Sequence, residues 1–139
     1  MKTRWMWTVV ILAGTQGLIG CAQSVTVSDS DVQTVDLRQL MKLLGDQDRW
    51  VLIDVRPLKD FEEGHIPGAV SIPLPNLTPN DNRLAEAKQI VVYSGEPRDM
   101  LSRAAAKKLM AQGYRNVYGF PGGLDQWRRQ HKRVIAGAE

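Results

Sequence analysis

Cysteine occurs once in the 139 residues, at Cys21, and histidine only twice, at His65 and His131. A single cysteine excludes an intramolecular disulfide, so a folded body must rest on its apolar core. Two histidines without paired cysteines offer no convincing zinc ligand set. Acidic residues are missing from the first twenty positions, which carry Lys2 and Arg4. The formal net charge of +3 therefore overstates the body, which holds 16 basic and 15 acidic residues. No basic stripe interleaved with aromatics stands out, and nucleic-acid binding has little support. Repeats and low-complexity blocks are also lacking. With 43% hydrophobic and 24% charged residues, the composition speaks against long disorder and coiled coil. The length suits one domain.

What is present begins with an address. Lys2 and Arg4 precede a mostly apolar, uncharged stretch from Trp5 to Leu18, the form of an export signal. Gly14, Thr15, Gln16 and Gly17 interrupt it, leaving less than the roughly 20 apolar residues of a spanning helix. The stretch ends in Leu18-Ile19-Gly20-Cys21-Ala22, which resembles a bacterial lipobox. That resemblance implies cleavage after Gly20, lipidation of Cys21 and a membrane anchor. Ala22, in place of an inner-membrane retention aspartate, favours the periplasmic face of the outer membrane in a diderm host. Residues 1–20 are read as a lipoprotein signal peptide, 21–31 as lipidated N-terminus and tether, and 32–136 as the folded domain.

Within that domain, Asp36 stands as an N-cap before an apolar face of Leu37, Leu40, Met41 and Leu44. Trp50–Ile53 is a continuous apolar run, as expected of a strand covered on both faces. Lys59–Glu63 fits a short helical turn, Gly64–Gly68 a rigid turn, and Ala69–Ile72 a second strand. Prolines and asparagines from Pro73 to Asn80 mark an irregular loop. Gln89–Tyr93 is the clearest buried strand. Ser94–Met100 reads as a loop and Leu101–Gln112 as a helix with Leu101, Ala105 and Leu109 in the core. Val117–Phe120 is a further strand, and Leu124–Gln130 closes the domain as a helix. This alternation specifies an α/β fold with a mainly parallel central sheet flanked by helices.

Three segments together resemble the rhodanese superfamily. They are Asp54-Val55-Arg56 through Gly64-His65-Ile66-Pro67-Gly68-Ala69 and Ile72-Pro73; Ile90–Tyr93 with its loop and Arg103–Leu109; and Gly113–Tyr118 with Pro121-Gly122-Gly123 and Trp127. They occur in the family's order across residues 36–134. Read from the residues alone, Asp54, Arg56, His65 and Trp127 are framework positions: a pair or cap at a strand end, a hydrogen bond in a tight turn, and a core plug.

The resemblance implies sulfur transfer through a cysteine thiolate that opens the loop after the central strand, cradled by backbone N–H groups. Here Ser94 stands directly after Tyr93, and the loop is about two residues longer than usual. Where relatives with long loops carry cysteine five places later, this chain has Asp99. Serine cannot form a persulfide, and a hydrolase built on Ser94 needs a positioned base, for which His65 is a candidate only in principle. No catalytic residue is therefore assigned. The segment Ser94, Gly95, Glu96, Pro97, Arg98, Asp99 and Met100 is read either as an anion-binding loop, with Arg98 supplying charge, or as a solvated turn. The expected function is a membrane-anchored, catalytically silent module for a small oxyanion or an envelope protein partner, with no cofactor and no metal. The alternatives are a rhodanese-type sulfurtransferase with an atypical loop, or a purely structural lipoprotein.

Overall fold

The computed structural model describes residues 26–45 and 49–137, so Cys21 and the signal sequence lie outside the described residues. The elements run β1 (Gln33–Thr34), α1 (Leu37–Gly45), β2 (Trp50–Asp54), α2 (Leu58–Glu63), β3 (Ala69–Ser71), β4 (Gln89–Tyr93), α3 (Met100–Ala111), β5 (Val117–Gly119) and α4 (Gly123–Arg129). All five strands are parallel, in the order β1-β5-β4-β2-β3. The expected α/β fold with a parallel sheet is the one observed.

Alternation along the central strands divides the core. Leu52, Val91 and Tyr93 face one side with Phe61, Leu124 and Trp127, beneath α1, α2 and α4. Ile53, Ile90 and Val92 face the other with Ala105, Ala106 and Leu109 of α3. A parallel strand buried on both faces needs apolar residues at every position, which is why β2 and β4 read as continuous runs. The N-cap of α1 is reciprocal. The Asp36 carboxylate accepts from Gln39 N–H, and the Gln39 side chain accepts from Asp36 N–H, both at 2.8 Å.

Three details depart from expectation. Helix α3 starts at Met100, and Leu101 is 40% exposed while Ala105 and Leu109 are fully buried. Leu101 stands on the first turn, at the rim where α3 leaves the loop, and not in the core. Strand β1 has no counterpart in the hydrophobic pattern: both its residues are exposed, so no burial pattern announces it. Within the stretch read as a tether, a 3₁₀ turn at Asp29–Asp31 packs on α3, where Asp29 meets Lys107 at 2.8 Å and Arg103 at 3.8 Å.

The C-terminal segment returns across the domain. His65 and Ile135 exchange backbone hydrogen bonds of 2.8 and 3.1 Å, Gly137 N–H donates to Glu62 O, and the Trp127 indole donates to Arg133 O.

Candidate functional site

The strand order reverses between β2 and β4, whose following connections pass to opposite faces of the sheet. In open parallel sheets the crevice outside the strand ends at such a switch point is the usual ligand site. Here it opens between Arg56, which follows β2, and Gly95, which follows β4. It is a groove of about 530 Å³ walled by Glu96, Pro97 and the α4 residues Leu124, Asp125, Arg128 and Arg129.

Beneath it lies a buried polar network. The Asp54 carboxylate accepts from Arg56 Nη2 at 2.7 Å, Nε at 3.0 Å and backbone N–H at 3.0 Å. Arg56 Nη2 also donates to Gly64 O at 2.8 Å. Burial opposes the Arg56 charge, but the hydrogen bond and the field of Asp54 outweigh it and raise the guanidinium above its ordinary value. The Tyr93 hydroxyl accepts from Ile66 N–H at 3.1 Å and lies in the field of the Asp54 carboxylate. Burial first, and then the Asp54 charge, push this phenol far above its ordinary value of 10.0. The sign of the pH dependence follows. The unfolded chain ionises Tyr93 near pH 10 while the folded chain holds it protonated. Stability is therefore retained below that value and falls above it, by about 1.4 kcal/mol per pH unit. Denaturant titrations from about pH 9 to pH 11 are expected to show a total loss of about 1.4 kcal/mol in the native chain, steepening toward the alkaline end, and to lose that slope in Tyr93→Phe. An unchanged slope in the variant would place the alkaline transition elsewhere.

The loop itself is tied from several sides. Leu124 N–H donates to Ser94 O and Asp125 N–H to Gly95 O, both at 2.9 Å, and Arg98 N–H donates to Pro121 O at 2.7 Å. Gly123 makes this closure possible. It has φ +59°, and a Cβ there would meet the carbonyl oxygens of Gly95, Ser94 and Glu96 at 2.7, 2.9 and 3.1 Å. Asp99 is the N-cap of α3, its carboxylate accepting from Leu101 N–H at 2.7 Å and Ser102 N–H at 3.4 Å. Its negative charge is thus spent on the helix terminus, where backbone N–H groups are otherwise unpaired.

The residues singled out from the sequence divide between the buried framework and the loop face. Asp54 and Arg56 form the buried pair under the groove, and Trp127 plugs the core at 6% exposure. His65 is fully buried, stacked on Phe61 with centroids 3.6 Å apart; its Nδ1 donates to Phe61 O at 2.9 Å. That bond commits Nδ1 to the turn. Ser94 is buried, and its Oγ has no partner among the described residues, His65 included. Gly95, Glu96 and Pro97 line the main groove, whereas Arg98 lines a smaller adjoining one of about 310 Å³. Met100 is 78% exposed. Besides Arg56, which lies against Gly95, the cations walling the larger groove are Arg128 and Arg129, the latter tied to Asp125 at 2.6 Å. Reading residue by residue missed both arginines. Helical spacing is the signal: it stacks Arg128 over Leu124 and Arg129 over Asp125, and all four line the groove.

No group of three or more potential metal ligands occurs among the described residues. The rhodanese-like domain family matches residues 36–130. The chain is 30% identical over 81 residues to the thiosulfate sulfurtransferase GlpE of Coxiella burnetii, covering 58% of this chain and 74% of that protein. It is 28% identical over 100 residues to the putative sulfur carrier protein YrkF of Bacillus subtilis, covering 70% of this chain but only about half, 52%, of that relative's length. Among solved structures, the BH2092 protein of Bacillus halodurans superposes with a TM-score of 0.68 at 28% identity, covering 75% of this chain and 77% of that one. Sheet order, switch-point loop and matched span agree, and the chain belongs to the rhodanese-like domain family.

Proposed function

We propose that this chain is a membrane-anchored rhodanese-like domain that no longer transfers sulfur and instead binds a small anion or a partner protein at the loop face. One observation carries the reading: the loop opens with Ser94, whose hydroxyl is buried and without a base, while the alternative position, Asp99, caps α3. A hydroxyl is far less acidic than a thiol and forms no persulfide, and a carboxylate bound to the helix terminus is no nucleophile. The purified chain, given thiosulfate and cyanide, is expected to form thiocyanate no faster than a heat-killed control. Sustained turnover above that control would overturn the reading.

The second reading is a sulfurtransferase with an atypical loop. What favours it is the similarity to relatives such as the thiosulfate sulfurtransferase of Coxiella burnetii. A restoration experiment separates the two. Ser94→Cys is expected to give a persulfide on exposure to thiosulfate, read by mass spectrometry, because Ser94 occupies the loop's first position. Asp99→Cys is expected to give none and to lose about 1 kcal/mol of stability with its cap. A folded Ser94→Cys variant that alkylates but never carries sulfur would show that the cradle itself has been lost.

Anchoring rests on Leu18-Ile19-Gly20-Cys21. Several acyl chains at Cys21 would hold the domain firmly, since each buried methylene contributes about 0.8 kcal/mol. In a bacterial host that processes lipoproteins, Cys21→Ser is expected to move the chain from the membrane to the soluble fraction. Unchanged fractionation would defeat the anchor.

A further inference from the structure

We propose that the loop face is a docking trough for an extended acidic segment of a partner protein. This rests on the reading of that face as a binding surface and names the chemistry of what it binds.

The two grooves beside the loop share Pro97 and Arg129 and so adjoin. Together they far exceed the roughly 30 Å³ share of a single water, and a lone inorganic oxyanion would fill only one corner. Their charges are unequal in availability. Arg56 is matched by Asp54 and Arg129 by Asp125. Arg128 in the larger groove and Arg98 in the smaller one enter none of the ion pairs among the described residues. The one carboxylate of the trough outside an ion pair is that of Glu96, which is exposed.

Two available guanidinium groups in separate compartments match a ligand whose negative charges are spaced along a chain, because each planar fork can grip one carboxylate with two N–H donors. The chain just beyond Arg98 adds a second property. Met100 and Leu101, directly after Arg98-Asp99, are 78% and 40% exposed. Exposed apolar residues beside arginines suit a polypeptide with apolar side chains better than an inorganic polyanion. Orientation points the same way. Thr26, where the described chain begins, lines a groove with Asn116 and Val117 at the opposite end of the sheet. The trough therefore faces away from the end of the sheet at which Thr26 lies.

The test uses the full chain and a fluorescein-labelled octapeptide with glutamate at alternate positions and two leucines, read by fluorescence anisotropy. Binding is expected, and the glutamine counterpart is expected to bind at least about tenfold more weakly. Arg98→Ala and Arg128→Ala should each weaken the glutamate peptide by about fivefold or more. Arg49→Ala removes the same charge beside the N-terminal end of β2 and should change binding less than about twofold. Glu96→Gln should tighten binding, and Glu86→Gln, remote from the trough, should not.

Equal weakening by Arg49→Ala would overturn the proposal in favour of diffuse attraction. So would equal binding of the glutamine peptide. Capture by phosphatidylglycerol vesicles through Arg98 and Arg128, with no peptide bound, would overturn it in favour of a lipid surface. A thermal shift by sulfate or thiosulfate that is lost in Arg128→Ala, again without peptide binding, would sink the docking proposal yet leave a small-anion site standing. Thiocyanate formation by the unaltered chain would instead remove the reading beneath it.

Discussion

Asp54→Ala is expected to cost about 3–5 kcal/mol of unfolding free energy, the largest effect of any single substitution considered. The carboxylate is fully buried and accepts from three N–H groups of Arg56. Removing it strands the Arg56 guanidinium, whose other bond is to Gly64 O, beneath the groove. A buried pair is weak evidence for stability when compared with a well-packed apolar substitute. Breaking one is different, because the remaining charge keeps its desolvation penalty and loses its compensation. Typical domains are stable by only 5–15 kcal/mol, so the variant would stand near its folding threshold. Asp54→Asn is the companion measurement: it keeps an acceptor oxygen and is expected to fold with a smaller loss. In a double-mutant cycle, Asp54→Ala and Arg56→Ala together should cost less than their sum, by about 0.5–3 kcal/mol. A loss below about 1 kcal/mol in Asp54→Ala would show that the pair contributes little to folding.

Gly123→Ala is expected to cost about 2–4 kcal/mol, combining left-handed backbone strain with overpacking. The three atoms a methyl group would meet are backbone oxygens of the loop, which cannot swing aside as a side-chain tip can. Relief requires the loop to retreat from α4, which breaks the bonds from Leu124 to Ser94 and from Asp125 to Gly95. The same substitution at Gly45 meets nothing within 4 Å and should be neutral or slightly stabilising. Denaturant melts measure the cost. Faster hydrogen exchange at Leu124 and Asp125 than at Leu109 would locate it in the loop. Unaltered exchange at those amides would mean the clash is absorbed elsewhere.

Much of the fold was legible because burial wrote it into the chain. In Gln89–Tyr93 the four residues Ile90 to Tyr93 are covered on both faces and so must be apolar enough to bury, and the strand's observed limits equal those read from sequence. Gln33–Thr34 gave no such signal, since a two-residue exposed edge strand is set by backbone pairing to Tyr118 and Gly119 alone. Leu101 shows the limit of periodicity: its spacing to Ala105 and Leu109 is right, but the helix begins too near for that turn to be covered. The site was legible as a loop and as a missing thiol. It was not legible as a groove, because Arg128 and Arg129 come from a helix about thirty residues beyond Ser94, brought against the loop by the tertiary fold.

The N-cap at Asp99 has a consequence for how the loop meets its surroundings. A carboxylate covalently fixed to the helix it caps acts as an intramolecular ligand, present at an effective concentration of order millimolar or higher whatever the solution contains. Phosphate or sulfate arriving from outside competes with that resident group before it competes with water. The start of α3 is thereby buffered against the ordinary anions of its environment, and selectivity passes to whatever can reach Arg128 and Arg98 without displacing Asp99.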